Sequence, residues 1–305
     1  ADLTPLILAA RHAKLCLVAG LLAGLTLPGL AATLKPWLPH LVALLLFLSA
    51  VRIGPRRALG GLRDARSALS IVGVYQLALP LLALALVLAT GLPGHAMALV
   101  LILVLAAPPV TGSPNFTALM GHDPAAAMRV LILGTALFPL TVLPVLWMLP
   151  ALGDTSAVLA AALRLIAVIG AAVALGFAAN LWLRPEDNRD RLLAIDGASA
   201  ITLGVVVVGL MAARGPALKT EPQIVALWLA LAVSLNVGLQ FLAWRATRQV
   251  GYAIQAGNRN IALFLVALPP AVTDPILIFI GCYQIPMYLT PMIMARLYHV
   301  RPAPP

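Results

Sequence analysis

Two short polar segments interrupt long apolar runs, and they hold the side chains that could bind a small molecule. Residues 112–115 read Gly-Ser-Pro-Asn, and residues 257–260 read Gly-Asn-Arg-Asn. Amide and hydroxyl groups donate and accept hydrogen bonds, whereas a guanidinium is a permanent cation whose planar fork matches a carboxylate or a phosphate. These residue types therefore indicate recognition of an anion.

Arg259 is the most informative of these residues because it lies near the middle of an apolar run. A central arginine costs from about 3 kcal/mol on insertion scales to over about 10 kcal/mol in simulations, and it cannot lose its proton to escape. Three explanations stay open. Arg259 holds or balances an anionic substrate, pairs with Asp196, or lies nearer a membrane surface and extends its side chain towards it.

The prolines around the first segment predict a broken helix. Pro108, Pro109 and Pro114 each lack a backbone N–H group, and Gly112 lies among them. Lipid cannot satisfy the groups that a break frees, so broken helices occur only where protein or a water-filled cavity surrounds them. If the two broken segments meet, their helix ends offer carbonyl groups to cations and amide groups to anions. We predict a substrate site there, formed by Thr111, Ser113, Asn115, Asn258, Arg259 and Asn260.

The composition is typical of a protein embedded in a bilayer. Hydrophobic residues make up 62% of the 305 residues, charged residues make up 10%, and the mean hydropathy is +1.02. A soluble domain has about a quarter of its residues charged. Ten apolar runs are long enough to cross a membrane as helices. They cover residues 14–33, 37–55, 67–91, 95–120, 126–149, 157–183, 192–213, 222–244, 250–269 and 275–298.

The net charge of +10 indicates topology rather than a nucleic-acid partner. With a cytoplasmic N-terminus, the outer segments hold Lys35, Arg164, Arg214 and Lys219, and Arg259 alone lies inside a helix. The other Lys and Arg residues fall in the inner segments. Because cytoplasmic loops carry the excess of basic residues, we predict a multi-pass protein of the inner (plasma) membrane with both termini in the cytoplasm.

The runs divide near Ala151 into two groups of five, residues 1–150 and 151–305. An odd number of crossings in each half makes the second half enter the membrane from the opposite side, as in the inverted repeats of many secondary transporters. Each half also holds an Asp-Pro pair that suits the start of a helix. These pairs are Asp123-Pro124 and Asp274-Pro275.

The two polar segments support this repeat. Gly112 and Asn115 recur as Gly257 and Asn260 at a single offset of 145 residues. Other polar residues inside the apolar runs are expected to hydrogen-bond between helices rather than to bind a ligand. They are Asn180, Asn236, Gln240, Tyr283 and Gln284.

Asn115 after proline and glycine, and the stretch GNRNIAL at residues 257–263, resemble motifs of the bile acid:sodium symporter (BASS) superfamily. The resemblance implies an all-α membrane protein in which the discontinuous fourth and ninth helices cross. It also implies alternating-access transport of organic anions, such as bile acids, other carboxylates and sulfonates, with bound sodium. The implied panel domain is formed by 14–55 and 157–213, and the implied core domain by 67–149 and 222–298.

The resemblance also implies ion-binding positions. Gln76, Asn115 and Asn260 match amide side chains of the family, and Gln255 takes the position of its bridging glutamate. These residues are the candidate ion-binding residues. Sodium is the ion that the resemblance implies, and no cofactor is expected.

Several of the family's sodium ligands are replaced in this sequence. The glutamate falls at Gln255, a later glutamine at Arg259, and a serine at Pro114. The hydroxyl ligands of the fifth helix fall at Ala127 and Leu131. Loss of the carboxylate removes the best ligand for a hard cation, and Arg259 adds a fixed positive charge. We predict a secondary transporter of a small organic anion with weakened or no sodium coupling.

Three other functions stay open. A conventional sodium-coupled symporter would bind the ion through Ser113, Asn115, Asn260 and backbone carbonyl groups. A channel would need a continuous polar pore, whereas polar residues concentrate in the two short segments. An intramembrane enzyme using Ser113 and His122 would need an acid to orient the histidine, and none is apparent, while His122 itself is expected at the cytoplasmic end of its helix. An enzyme is therefore not expected.

Overall fold

A computed structural model of the chain describes residues 3–60, 65–91, 95–149, 152, 155–213 and 221–298. These residues form helices and short connections, and they contain no β-strand. The predicted division near Ala151 and the side chains of Lys14, Arg214 and Lys219 lie outside them.

The helices are numbered here in chain order. They are α1 (Thr4–Arg11), α2 (Ala13–Thr26), α3 (Pro28–Gly60), α4 (Ala65–Ala89), α5 (Ala96–Ala106), α6 (Ser113–Leu119), α7 (Ala125–Trp147), α8 (Thr155–Leu183), α9 (Arg189–Leu210), α10 (Pro222–Thr247), α11 (Val250–Gly257), α12 (Phe264–Ala267), α13 (Pro270–Ile293) and α14 (Ala295–Tyr298). A 3₁₀ turn, Ile261–Leu263, precedes α12.

Seven helices are long and apolar enough to cross a membrane: α3, α4, α7, α8, α9, α10 and α13. By length and composition, the described residues are therefore those of an all-α, multi-pass membrane protein. The helices α5, α6, α11 and α12 are each too short to cross alone. The count of ten crossings and the inverted repeat stay predictions.

Pro28 changes the first helix boundary. The sequence predicts one run over 14–33, but α2 ends at Thr26 and α3 begins at Pro28. Proline has no N–H group to donate, and it disfavours helical geometry in the preceding residue. Leu27 accordingly leaves the helix, with φ −116° and ψ 70°. The predicted run thus combined the end of one helix with the start of the next.

The last long helix also begins earlier than the predicted run 275–298. Asp274 lies in a 3₁₀ turn inside α13, and its Oδ2 accepts a hydrogen bond of 2.9 Å from Lys35 Nζ. The prediction that Asp274 caps a helix is therefore wrong. At the other pair a helix does begin, because α7 starts directly after Pro124, and Asp123 Oδ1 accepts a hydrogen bond of 2.9 Å from Ala125 N–H.

The chain divides into two compact units. The first comprises Ala1–Gly60, Leu149–Ala226 and Ala262–Gly281, and the second comprises Gly61–Met148, Leu227–Ile261 and Cys282–Pro305. The panel and core domains stay a prediction. Both polar segments singled out in the sequence belong to the second unit.

In the first unit, α9 packs against α1, α2 and α3, and α3 packs against α8. A methyl group added to Gly204 of α9 would lie 2.8 Å from the Cys16 carbonyl oxygen of α2, so only glycine permits this approach. Asn180 Nδ2 of α8 donates a hydrogen bond of 2.7 Å to the Val51 carbonyl oxygen of α3. Small residues and interhelical hydrogen bonds are the usual means of helix packing in membranes.

The second unit surrounds the short helix α11. All residues of α11 are buried. Its apolar side chains pack with Tyr75 of α4, Ala243 of α10, Met294 and Tyr298. This protein environment offers partners for the free end of the helix, which lipid could not supply.

Candidate functional site: two paired helix breaks

Two helices stop inside the second unit, at the segments that the sequence singled out. The first, α5, ends at Ala106, and Ala107 is extended with φ −61° and ψ 145°. Pro108 follows it, and a residue before proline is disfavoured in helical geometry. The chain becomes helical again at α6, which has proline in its first turn. In the second segment, α11 ends at Gly257, and Asn258 leaves the helix with φ −97° and ψ 87°.

The two breaks pair with each other through their main chains. Pro109 and Arg259 form an isolated antiparallel bridge. Val110 N–H donates a hydrogen bond of 2.9 Å to the Asn258 carbonyl oxygen, and Asn260 N–H donates one of 2.7 Å to the Pro108 carbonyl oxygen. These two hydrogen bonds satisfy four of the main-chain groups that the breaks free, as buried main-chain groups require.

Gly257 is needed for the second break to reach its position. An added methyl group would lie 3.1 Å from Gln240 Nε2, and closer still to the carbonyl oxygen of Asn236 and to Gln240 Cγ. Real Cβ atoms do not approach main-chain atoms so closely. Glycine therefore lets the end of α11 rest directly against α10.

The Arg259 side chain is buried at the paired breaks and is only 1% exposed. Its Nε donates a hydrogen bond of 2.8 Å to the Ala256 carbonyl oxygen, and its Nη1 donates one of 3.0 Å to the Ala107 carbonyl oxygen. Its Cζ lies 5.0 Å from the centre of the Tyr75 ring, within the range of a cation–π interaction. Arg259 does not extend to a surface, so the third explanation given for it is wrong.

Asp196 is not the partner of Arg259. In the first unit, Asp196 Oδ2 accepts a hydrogen bond of 3.2 Å from Arg52 Nη2, and its Oδ1 accepts another from Arg52 Nε. The side chains of this ion pair are about a third exposed. The carboxylate is already neutralised, so the pairing of Arg259 with Asp196 is also wrong.

The guanidinium of Arg259 is only partly available to a ligand. Two of its three nitrogens already donate to carbonyl groups, and Nη2 has no partner among the described residues. The guanidinium was expected to bind a carboxylate with paired N–H groups, but carbonyl groups of the protein already accept some of these hydrogen bonds. A ligand approaching this side chain would meet one nitrogen.

A π-helical turn, Val74–Ala78 in α4, carries two residues to the breaks. Tyr75 lies against Arg259, and Gln76 Oε1 accepts a hydrogen bond of 3.0 Å from Thr141 Oγ1. A methyl group added to Gly134 would lie 2.6 Å from Gln76 Nε2 and 2.9 Å from Pro109 Cδ, so Gln76 lies near the first break. Such single π turns occur often at functional sites.

Gln255 turns away from the bridge and reaches α7. Its Nε2 donates a hydrogen bond of 2.5 Å to the Ala127 carbonyl oxygen. Its Oε1 is buried and has no partner among the described residues. The resemblance assigned Ala127 the position of a hydroxyl ligand, and here its main-chain carbonyl group interacts with Gln255 instead.

Asn258 belongs to a buried polar network. Its Oδ1 accepts hydrogen bonds of 2.8 Å from Asn236 Nδ2 and 3.0 Å from Thr290 Oγ1. Gln240 Nε2 donates to Asn236 Oδ1 at 2.8 Å, and Gln240 Oε1 accepts from the Tyr298 hydroxyl at 3.0 Å. Asn236 and Gln240 hydrogen-bond between helices, as the sequence predicted. Thr290 and Tyr298 were not predicted.

The remaining predicted site residues lie beside the breaks. Ser113 is buried, and its Oγ has no partner among the described residues. Thr111 is half-buried, and Asn115, on α6, is exposed. Asn260 is half-buried next to the bridge. Asn115, Thr111 and Asn260 are therefore the predicted residues that are open to a ligand.

Five buried side-chain atoms in the described residues have no hydrogen-bond partner, and all five belong to predicted site residues. They are Gln76 Nε2, Ser113 Oγ, Gln255 Oε1, Asn258 Nδ2 and Arg259 Nη2. Buried polar atoms are nearly always paired, so each such atom needs an explanation. Three are nitrogen donors, one is a hydroxyl and one is a carbonyl oxygen, so a ligand that accepts hydrogen bonds suits the group best.

The helices and the interrupted segments define an all-α membrane protein of the multi-pass class. The described residues contain no group of His, Cys, Asp and Glu that would hold a metal ion. Comparison of the chain with protein-family models finds no match, and comparison with curated proteins finds none either.

Proposed function

We propose that this protein is a secondary active transporter that moves a small organic anion across the inner membrane by alternating access, with weakened or no sodium coupling. The pairing of two interrupted helices inside the second unit carries the proposal. Secondary transporters place their substrate and ion sites where discontinuous helices meet near the middle of the membrane. The stability of a helical bundle does not require two such breaks, so they indicate a function.

The chemistry of the breaks favours an anion. Arg259 is a buried cation with no carboxylate partner among the described residues, and the unpartnered atoms around it are mostly donors. A buried charge at membrane depth is expensive and marks a functional position by default. The accessible amides Asn115 and Asn260 would contact the substrate beside this charge.

A conventional sodium-coupled symporter of organic anions is the second candidate. It is favoured by two buried oxygens without partners in the described residues, Ser113 Oγ and Gln255 Oε1. Hydroxyl and carbonyl oxygens are suitable ligands for a hard cation. The proposed topology is the same for both candidates, with ten crossings in two inverted repeats and both termini in the cytoplasm.

Uptake into proteoliposomes tests the proposal. The purified full chain is given labelled monocarboxylates, dicarboxylates and sulfonates, with sodium or with N-methylglucamine outside. We expect saturable uptake of at least one anion and acceleration by the same unlabelled anion inside, because exchange is a property of carriers and not of channels. Replacement of sodium should change the rate by less than about twofold, the equivalent of about 0.4 kcal/mol.

Two variants locate the site in the same assay. Arg259→Gln should lower uptake by more than about tenfold, or about 1.4 kcal/mol. Arg248→Gln is the matched control, because Arg248 is exposed and its Cζ lies 4.6 Å from the Trp244 ring, in the same unit. Uptake that needs a sodium gradient would select the second candidate, and non-saturable flux of all anions would contradict both.

A further inference from the structure

Arg259 joins the ends of two helices. Ala107 directly follows α5, and Ala256 lies in the last turn of α11. The guanidinium donates to the carbonyl group of each, so one side chain connects two segments that are far apart in sequence. Arg259 has no carboxylate partner among the described residues, so these carbonyl groups and the Tyr75 ring are what stabilise its charge.

The ends of the two helices require a cation. The last carbonyl groups of a helix have no partner within it, and the aligned peptide dipoles give that end a partial negative charge. Here two such ends converge inside a membrane protein, where water is scarce and unsatisfied carbonyl groups are costly. Neutral carbonyl oxygens of this kind are the ligands that replace the hydration shell of alkali ions in selective sites.

We infer that Arg259 is a tethered cation. Its guanidinium permanently satisfies the carbonyl groups at the ends of α5 and α11, which a soluble monovalent cation would otherwise bind. Removal of the side chain converts the Ala107 and Ala256 carbonyl groups into a site for sodium or potassium. The inference rests on the proposed function in one respect. If the protein is the proposed transporter, a tethered cation explains why transport needs no soluble one. The site itself is a property of the folded chain and is measurable without substrate.

Thermal unfolding of the purified full chain in detergent tests the inference. The midpoint is measured in sodium, potassium and N-methylglucamine chloride at one ionic strength. The unaltered protein should unfold within about 1 °C of the same temperature in all three salts. Arg259→Ala should unfold about 5 °C or more below it in N-methylglucamine, and sodium or potassium should restore at least about half of the loss.

Chemical rescue gives a second measurement on the same variant. Guanidinium chloride at about 5 mM is far below denaturing concentrations, and it should raise the midpoint of Arg259→Ala but not that of the unaltered protein. Arg248→Ala is the control, because it also removes an arginine that stacks on an aromatic ring. It should respond equally to the three salts and should not respond to guanidinium.

The outcomes separate cleanly. A variant Arg259→Ala that unfolds like the unaltered protein, or that is destabilised and not rescued by any of these cations, overturns the inference. If Arg259→Ala does not fold, Arg259→Lys decides, because its ammonium is also tethered and should fold with a midpoint independent of sodium. A lysine variant that fails to fold, or that needs sodium, also overturns it. Absence of transport would reject only the proposed function.

Discussion

Two arginines in apolar parts of the chain are stabilised in opposite ways. Arg52 of α3 faces a carboxylate, Asp196 of α9, in a pair whose side chains are about a third exposed. Arg259 faces two carbonyl groups and an aromatic ring, and it is fully buried. In the first arrangement a carboxylate of opposite charge neutralises the guanidinium. In the second, carbonyl dipoles and a ring stabilise a guanidinium that keeps its net charge.

The difference indicates what each arginine is suited for. A carboxylate partner leaves no net charge for a ligand to sense, so Arg52 is expected to hold α3 against α9. Dipoles leave the net charge of Arg259 in place, so its field still acts on groups that enter the site. A stable but uncompensated charge is the property that an anion carrier needs.

The largest effect is expected from removing each charge in turn. Arg259→Met leaves two buried carbonyl groups without their donor and should lower the free energy of unfolding by about 3–5 kcal/mol. Arg52→Met leaves a carboxylate that water reaches, and the loss should be about 1 kcal/mol. Equilibrium unfolding titrations in detergent compare the two variants. Equal losses would remove the distinction between the two sites.

A smaller effect is expected where the second break meets α10. Gly257→Ala forces a methyl group against the Asn236 carbonyl oxygen and should cost about 1–3 kcal/mol. Gly238→Ala in α10 is the control, because nothing lies within 4 Å of its added methyl group. Alanine there should be neutral or stabilising by up to about 1 kcal/mol. The same unfolding titration checks both, and a neutral Gly257→Ala would show that the bridge tolerates movement.

The aromatic ring over Arg259 has no counterpart at Arg52 in the part of the chain that the structure describes, and its contribution is measurable. Tyr75→Leu should cost about 1–2 kcal/mol, because it removes the cation–π interaction at a buried position. Tyr75→Phe keeps the ring and loses only a hydrogen bond of 3.3 Å to the Tyr252 carbonyl oxygen, at about 0.5–1 kcal/mol. If phenylalanine costs as much as leucine, the hydroxyl group and not the ring stabilises Arg259.

The smallest effect concerns salt. The Arg52–Asp196 pair is partly exposed, so the cost of Arg52→Met should fall by about 0.5 kcal/mol between 0.05 M and 1 M N-methylglucamine chloride, whose cation should not rescue an Arg259 variant. The cost of Arg259→Met should not fall through screening, because the Arg259 side chain is only 1% exposed. The loss in free energy of unfolding is plotted against salt concentration for both variants, and the two slopes are compared. Parallel slopes would indicate that both arginines are solvated alike.

The sequence predicted the interruptions well because their causes are local. Pro108 and Pro109 remove main-chain donors, and a polar segment around Arg259 stands out in an apolar run. Burial of Arg259 did not follow from the sequence, which left open that the side chain extends towards a membrane surface. The same local reasoning misplaced the first helix boundary, since Pro28 ends one helix and begins another inside a continuous apolar run.

Partners from distant helices could not be predicted. Tyr75, Thr141 and Thr290 are ordinary residues of apolar helices, and only the packing of the second unit brings them to Gln76, Arg259 and Asn258. The pairing of Asp196 was equally hidden, because Arg52, near the end of its predicted run, was counted only as a basic residue of the cytoplasmic side. A hydrogen bond between helices leaves no local pattern in either one, whereas a proline or a charge does.

The bridge between Pro108–Val110 and Asn258–Asn260 has a consequence for how the chain is made. A ribosome releases the first break long before the second, so α5 and α6 enter the membrane while the Pro108 carbonyl and the Val110 amide still lack their partners. The main-chain pairing of the first break is therefore completed only after synthesis of Asn258 and Asn260. A nascent chain stalled before Val250 would leave the main-chain groups of the first break without partners in lipid. We expect membrane quality-control proteases to degrade such a chain.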